Sequence, residues 1–301
     1  MRVTENGLAT QVLATISEGL SRLMATQERL ATSKRINRPS DDPVGAGLVV
    51  RHQATKAALE AFQRATDATQ EFLGNTGGAI ERVTAGLQQA REVGLKGSND
   101  LLAPNRGAMA EQVNQLLEDL LVQGNARFAE RYIFGGTQTV TAPFTATRDG
   151  AGKITAVTAN PLGITGAVNA EVAEGVTVRS NLPGTQVFTQ TVNLFDTLIA
   201  LRDALAASNT AAIVAATAAL DGGLDQATTA SGVVGVSIQR LETVRQQNLK
   251  DAQRVERLRS QIQDADIAAL YVELQRQQNA FEASLQAGAR ALQPSLVDFI
   301  R

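Results

Sequence analysis

The chain has no cysteine, no tryptophan, two tyrosines and a single histidine in 301 residues. Without cysteine there are no disulfides, no thiolate nucleophile and no cysteine metal site. That absence says nothing about compartment. The 28 basic residues nearly balance 30 acidic ones, for a formal charge of -2, so the chain lacks the basic field that nucleic acid or an anionic membrane attracts. Neither is expected as a partner. The richest apolar run, AAIVAATAAL at 211–220, is short and holds Thr217, so no membrane span is expected. The opening residues MRVTENGLATQVLATISEGL have no charged segment followed by a continuous apolar run, so they do not read as a cleaved secretory signal. No long internal repeat or charge block stands out.

What is present is helix. Aromatics make up only 4%, and Ala, Leu, Gln, Arg and Glu dominate, the composition of long helices. From Leu8, the apolar residues Val12, Ile16, Leu20, Leu23 and Leu30 fall at steps of three, four or seven, one stripe of a helix about 35 Å long. A second stripe runs through Val255, Leu258, Ile262, Leu270, Leu274, Phe281, Leu285, Leu292 and Leu296, with Gln and Ala between, which suits close helix pairing. The two stripes lie almost a full chain length apart, so a hairpin that brings them together antiparallel is expected. Further helices are expected at 43–96, 104–133 and 193–221, with Pro104 in a first turn. At Gly135 and Gly136 the pattern changes, and Thr and Val then alternate on both sides of RDGAG, which reads as a hairpin. Extended chain is expected to continue to about residue 190, with a turn at Asn181, Pro183 and Gly184. The fold class is therefore mainly α with a small β insert: a long helical hairpin or bundle with paired N- and C-terminal coiled helices and a peripheral β domain. At this length two or three packed units are expected. The insert at 139–190 reads as an excursion whose removal leaves the helices folded.

The stretch RPSDDPVGAG places two adjacent acids between prolines. Pro43 suits a first helical position and Asp42 the N-cap before it, while Pro39, Ser40 and Asp41 hold the approach. Gly45 and Gly47 weaken a helix, so both are expected to permit a close backbone approach. A catalytic carboxylate pair would need partners in a pocket, and none is matched to it. His52 sits on a helix without a ligand cluster around it. Asp264 and Asp266 read as two helical residues facing different ways. DGAGK fails the spacing of a phosphate loop. No catalytic, cofactor or metal site is assigned, and no enzyme is read here.

Those structural stretches resemble the flagellin-like proteins of the bacterial flagellum. SKRINRPSDDPVGAGLVV is similar to the N-terminal motif, its Pro-Ser-Asp-Asp-Pro form to the hook-associated branch. Resemblance continues in ERYIFGGTQTVTAPF, EGVTVRSNLPGTQVF, NLFDTLIALRDAL and DIAALYVELQRQQNAFEASLQAGARALQPSLVDFI. One departure is Ser33, where the family usually has glycine. The resemblance implies a structural subunit joining the hook side to the filament, extracellular on the flagellum and exported without a cleaved signal. Implied partners are copies of itself in a ring or helical layer, the neighbouring hook-associated junction protein, flagellin and a cytosolic export chaperone. The alternatives are a filament flagellin, and a ligand-binding or enzymatic β insert. Three parts are expected: residues 1–34 with 265–301 as a terminal coiled-coil domain ordered on assembly, 35–138 with 191–264 as a helical rod, and the insert at 139–190. The assembly interface is assigned to Leu8, Val12, Ile16, Leu20, Leu23, Leu30, Leu270, Leu274, Phe281, Leu285, Leu292 and Leu296. The interdomain joint is assigned to Pro39, Ser40, Asp41, Asp42, Pro43, Gly45 and Gly47.

Overall fold

The structure is a computed structural model and describes residues 2–292. Among the described residues there are six α-helices: α1 (Arg2–Thr32), α2 (Pro43–Gly97), α3 (Arg106–Gly124), α4 (Leu194–Ala206), α5 (Thr210–Gln263) and α6 (Ile267–Leu292). Three antiparallel ribbons of two strands each complete it: β1 (Arg127–Phe128) with β2 (Arg131–Tyr132), β3 (Phe144–Arg148) with β4 (Ile154–Ala159), and β5 (Asn169–Ala173) with β6 (Val176–Arg179). The mainly helical fold class with a small β region, expected from composition and periodicity, is the one observed. The chain divides into two compact units, one of Met1–Ala58 and Asp251–Arg301, the other of Leu59–Lys250. No described helix is long and apolar enough to cross a membrane.

Several boundaries differ from those expected, each for a local reason. The helix expected at 104–133 spans only Arg106–Gly124, because Pro104 belongs to a separate 3-10 turn, Asp100–Asn105, capped by Asn99. Beyond α3, Asn125 turns its side chain to Phe144, donating to its carbonyl (2.9 Å) and accepting from its amide (3.0 Å). Ala129 and Glu130 then take positive φ and turn β1 back onto β2. The helix expected at 193–221 is two helices. Asn193 caps α4 by accepting from Phe195 and Asp196, Ser208 breaks the chain at φ 52°, and Asn209 caps α5 by accepting from Ala212. Thr185–Thr189 is a π-helical turn, not extended chain. The RDGAG hairpin is observed: the Asp149 carboxylate accepts from Ala151 and Lys153 across the turn between β3 and β4.

The larger unit has one core, and the insert shares it. Phe144 and Phe188 pack on Phe195 of α4 and Phe134 packs on Phe188, with ring centroids 4.9–5.5 Å apart in the four contacting pairs. All four rings are buried. Polar side chains from the helices then pair the insert's backbone. Buried Arg202 donates to the carbonyl of Ile154 (2.5 Å), Asn248 to that of Val172 (2.8 Å), and Gln226 to that of Val187 (2.8 Å). Removing residues 139–190 would strip two of these phenylalanines, Phe144 and Phe188, and leave buried donors unpaired. The expectation that it can be excised without loss is therefore corrected: its side chains complete the helical core.

Truncating Phe144→Ala should destabilise the larger unit by about 3–5 kcal/mol, seen as a lower denaturant midpoint. Deletion of 139–190 should abolish its cooperative unfolding transition.

Candidate assembly interface and interhelix joint

Helices α1 and α6 pair antiparallel within the smaller unit. On α1, Val12, Ile16, Gly19, Leu23, Thr26 and Leu30 recur at alternating steps of four and three, and each is buried or half-buried. On α6, Leu270, Leu274, Gln277, Phe281, Ser284 and Gly288 do the same. This is the 3.5-residue period of a coiled-coil seam. Two close approaches set the register. A Cβ on Gly288 would stand 2.8 Å from Val12 Cγ1, and one on Gly19 would stand 3.3 Å from Phe281 Cδ2. Carried along the heptad spacing, that register sets Ile16 level with Ser284, Leu23 with Gln277, Thr26 with Leu274 and Leu30 with Leu270. In every layer but the last, a large side chain stands opposite a small or polar one.

Of the residues assigned to the interface from sequence, Val12, Ile16, Leu23, Leu30, Leu270, Leu274 and Phe281 lie on this seam. Leu20 and Leu285 do not: they are 44% and 43% exposed. Leu20 belongs to an outer stripe on α1 with Leu13 and Met24, both more than 60% exposed. Leu8 and Leu292 lie in α1 and α6, but their side chains, and Leu296 altogether, lie outside the described residues. Gly19, Thr26, Gln277, Ser284 and Gly288 were missed by counting large apolar residues only. A period search that admits small residues would have found them.

Both helices break at the same level, and the breaks are stitched together. The C-terminal stripe is not one helix, since Asp264 pairs with Lys34 in an antiparallel bridge between α5 and α6. Arg35 donates its amide to Gln263 O (2.7 Å), and Ala265 donates to Ser33 O (3.1 Å). Buried Gln263 and Ile36 close the inner side. Asp266 is a cap, accepting from the amides of Ala268 and Ala269, which corrects its placement inside a helix. Ser33 sits at φ 56°, the left-handed region that glycine adopts without cost. The serine at this position therefore holds a strained turn.

In the approach to α2, Asp41 Oδ2 accepts from the amides of Asn37 and Arg38, both at 2.9 Å. These bonds, Arg38's foremost, hold its carboxyl below the usual range. Asp42 Oδ1 accepts from Gly45 N (2.8 Å), the N-cap geometry ahead of Pro43. Pro39 and Ser40 are exposed in the turn. Gly45 is needed, because a Cβ there would stand 2.6 Å from Ile36 Cδ1, whereas Gly47 has nothing within 4 Å. The expectation that both glycines serve close approach holds for Gly45 alone. Arg38 adds a two-pronged bond to Glu28 at 3.1 and 3.2 Å. Each acid of the RPSDDPVGAG stretch thus has a backbone bond that accounts for it.

Glu256 is a charged group the sequence reading passed over. Arg259 and Lys56 both bond it, lowering its pKa to about 2. His52 is half-buried on α2. Among the described residues, no group of His, Cys, Asp and Glu could hold a metal ion.

Residues 3–139 match the family described as the bacterial flagellin N-terminal helical region. That segment is similar to a flagellin-type N-terminal region. Flagellar hook-associated protein 3 of Escherichia coli strain K12 is 29% identical over 146 residues, 48% of this chain and 46% of that protein. Polar flagellin F of Vibrio parahaemolyticus is 27% identical over 147 residues, 48% of this chain and 38% of that protein. The matched segment thus spans about half the length of these relatives or less. The crystal structure of flagellar hook associated protein-3 from Legionella pneumophila aligns with a TM-score of 0.62 at 14% identity, over 71% of this chain and 98% of that one. At that identity the likeness bears on the fold alone. The flagellin-type region runs from α1 through α3 and the first strand pair, so it contains both the α1 seam and the Ser33–Gly45 joint.

Three outcomes test the site. Ser33→Gly should raise the stability of the smaller unit by about 1 kcal/mol in chemical unfolding. Asp42→Ala should lower it by roughly 0.5–2 kcal/mol. Because Glu256 has a depressed folded pKa, its contribution is complete above its ordinary value of 4.5 and is lost as pH falls towards 2. Glu256→Gln should flatten that part of the pH–stability curve, measured by thermal unfolding.

Proposed function

We propose that this chain is a structural subunit of the bacterial flagellum, placed between the hook side and the filament, where it assembles with copies of itself through its terminal helices. The observation that carries this reading is the flagellin-type region lying on one side of a long-range antiparallel seam, with a second apolar stripe left facing outwards. The sequence relative named hook-associated protein 3 supports the junction position. Flagellins also match, so a filament subunit is the second reading.

The physical case for assembly rests on the thinness of the terminal pair. Seam layers contain Gly, Ser, Thr and Gln, and α1 leaves Leu13, Leu20 and Met24 largely in water. Burying such side chains contributes about 1.5–3 kcal/mol each, while an isolated helix pair of this kind is marginal. Neighbouring subunits would supply that burial, so the terminal pair is consolidated as the subunit enters the assembly. Ends held this weakly also suit a chain that is exported unfolded to the outside of the cell. A cytosolic chaperone that covers the apolar ends before export, a neighbouring junction protein and flagellin complete the proposed partners. The role is mechanical and positional, and it calls for no catalytic residue.

Immunogold labelling of intact flagella separates the two readings: a single band at the hook–filament boundary is expected, and labelling along the filament would support flagellin. Leu20→Asp should leave the helical circular dichroism of the purified chain unchanged and abolish incorporation into flagella.

A further inference from the structure

Helices α2 and α5 each carry two kinds of glycine in the larger unit. At several levels they close on a neighbour: a Cβ on Gly94 would collide with Thr217 of α5, one on Gly97 with Leu205, and one on Gly223 with Leu194. At another level, where Gly77 of α2 faces Val234 of α5, the glycines are not required by packing. Gly74, Gly232 and Gly235 have nothing within 4 Å of a Cβ, and Gly77 and Gly78 would make only ordinary contacts, at 3.7 and 3.8 Å. Alanine would fit at all five positions and hold a helix better. The surrounding sequence is weak in the same sense, since Thr228, Thr229, Val233, Val234 and Val236 are β-branched. Side chains also compete for the ladder here. Asn75 and Thr76 donate to the carbonyls four residues back, both at 2.9 Å, and Ser237 does so to Val233 O at 2.9 Å, a bond that favours bending.

We infer that residues 74–78 of α2 and 232–235 of α5 form a compliant zone at which the paired helices bend and open locally before the rest of the larger unit. Two antiparallel helices that soften at one level flex together, whereas a soft point in one alone would be splinted by its neighbour. In a subunit set between two different lattices, such a zone lets one fold adapt to both. That use rests on the function proposed above, but the zone itself does not.

Hydrogen exchange of the full chain, read by mass spectrometry, tests it. Peptides covering 72–80 and 230–238 should exchange about tenfold or more faster than those covering 88–96 and 216–224, as local opening requires. In a variant carrying Gly74→Ala, Gly232→Ala and Gly235→Ala, both should slow towards the flanking rate, with the Tm raised. Uniform exchange along α2 and α5 in the unaltered chain would overturn the inference, as would undiminished exchange in a folded variant. If the variant fails to fold, alanine does not fit where the geometry says it does, which also counts against it. A chain that passes this test while immunogold finds it outside the junction would retain the compliant zone and lose the proposed function.

Discussion

The pairing of α1 with α6 depends on small residues standing opposite large ones. Helices approach closely only where a side chain is missing from one of them, and Gly288 opposite Val12 and Gly19 opposite Phe281 supply such places. These contacts fix the register, and the register determines the rest of the terminal architecture. It brings the breaks in both helices to one level, so that Ser33, Arg35, Gln263 and Ala265 can exchange backbone bonds. It also decides which leucines turn outwards. Leu13 and Leu20 are exposed because the seam is already filled by residues one step away on the helix.

The adjacent acids Asp41 and Asp42 belong to the same logic. A helix that stops at Thr32 and another that starts at Pro43 leave amides without partners, and two carboxylates are the compact way to satisfy them. Asp41 takes those of Asn37 and Arg38, and Asp42 takes that of Gly45. Their hydrogen bonds are spent on the backbone, which is why a reading as general acid and base has no support in the geometry. Glu256, tied to Arg259 and Lys56, does the corresponding work between α5 and α2 within the same unit.

Much of the helical framework was legible because its signals are local. Pro43 after Asp42 marks a helix start, and the seam leucines repeat at helical spacing. The breaks at Asn125, Ser208 and Asp264 were harder to see, since each depends on a partner far along the chain or on a backbone angle. Asn125 ends α3 by bonding Phe144, nineteen residues on, and nothing near Asn125 announces that. The shared core was hidden for the same reason: Phe134, Phe144 and Phe188 lie in segments that read as extended or irregular, and only the fold shows that they form one cluster with Phe195. The seam was half-legible. Large residues declared their positions, but Gly19, Thr26, Gln277, Ser284 and Gly288 carry no apolar signal, and Leu20 carried a misleading one.

Because the chain contains no cysteine, the register can be read directly by introducing a pair. Thr26→Cys with Leu274→Cys places two thiols in one layer of the seam, while Thr26→Cys with Phe281→Cys places them two layers apart, and a disulfide closes only where the two Cα atoms lie within about 7 Å. Mild oxidation of the monomer should close the first pair within one chain and leave the second open. Closure of the out-of-layer pair, or cross-links that form only between chains, would contradict an intramolecular seam held in this register.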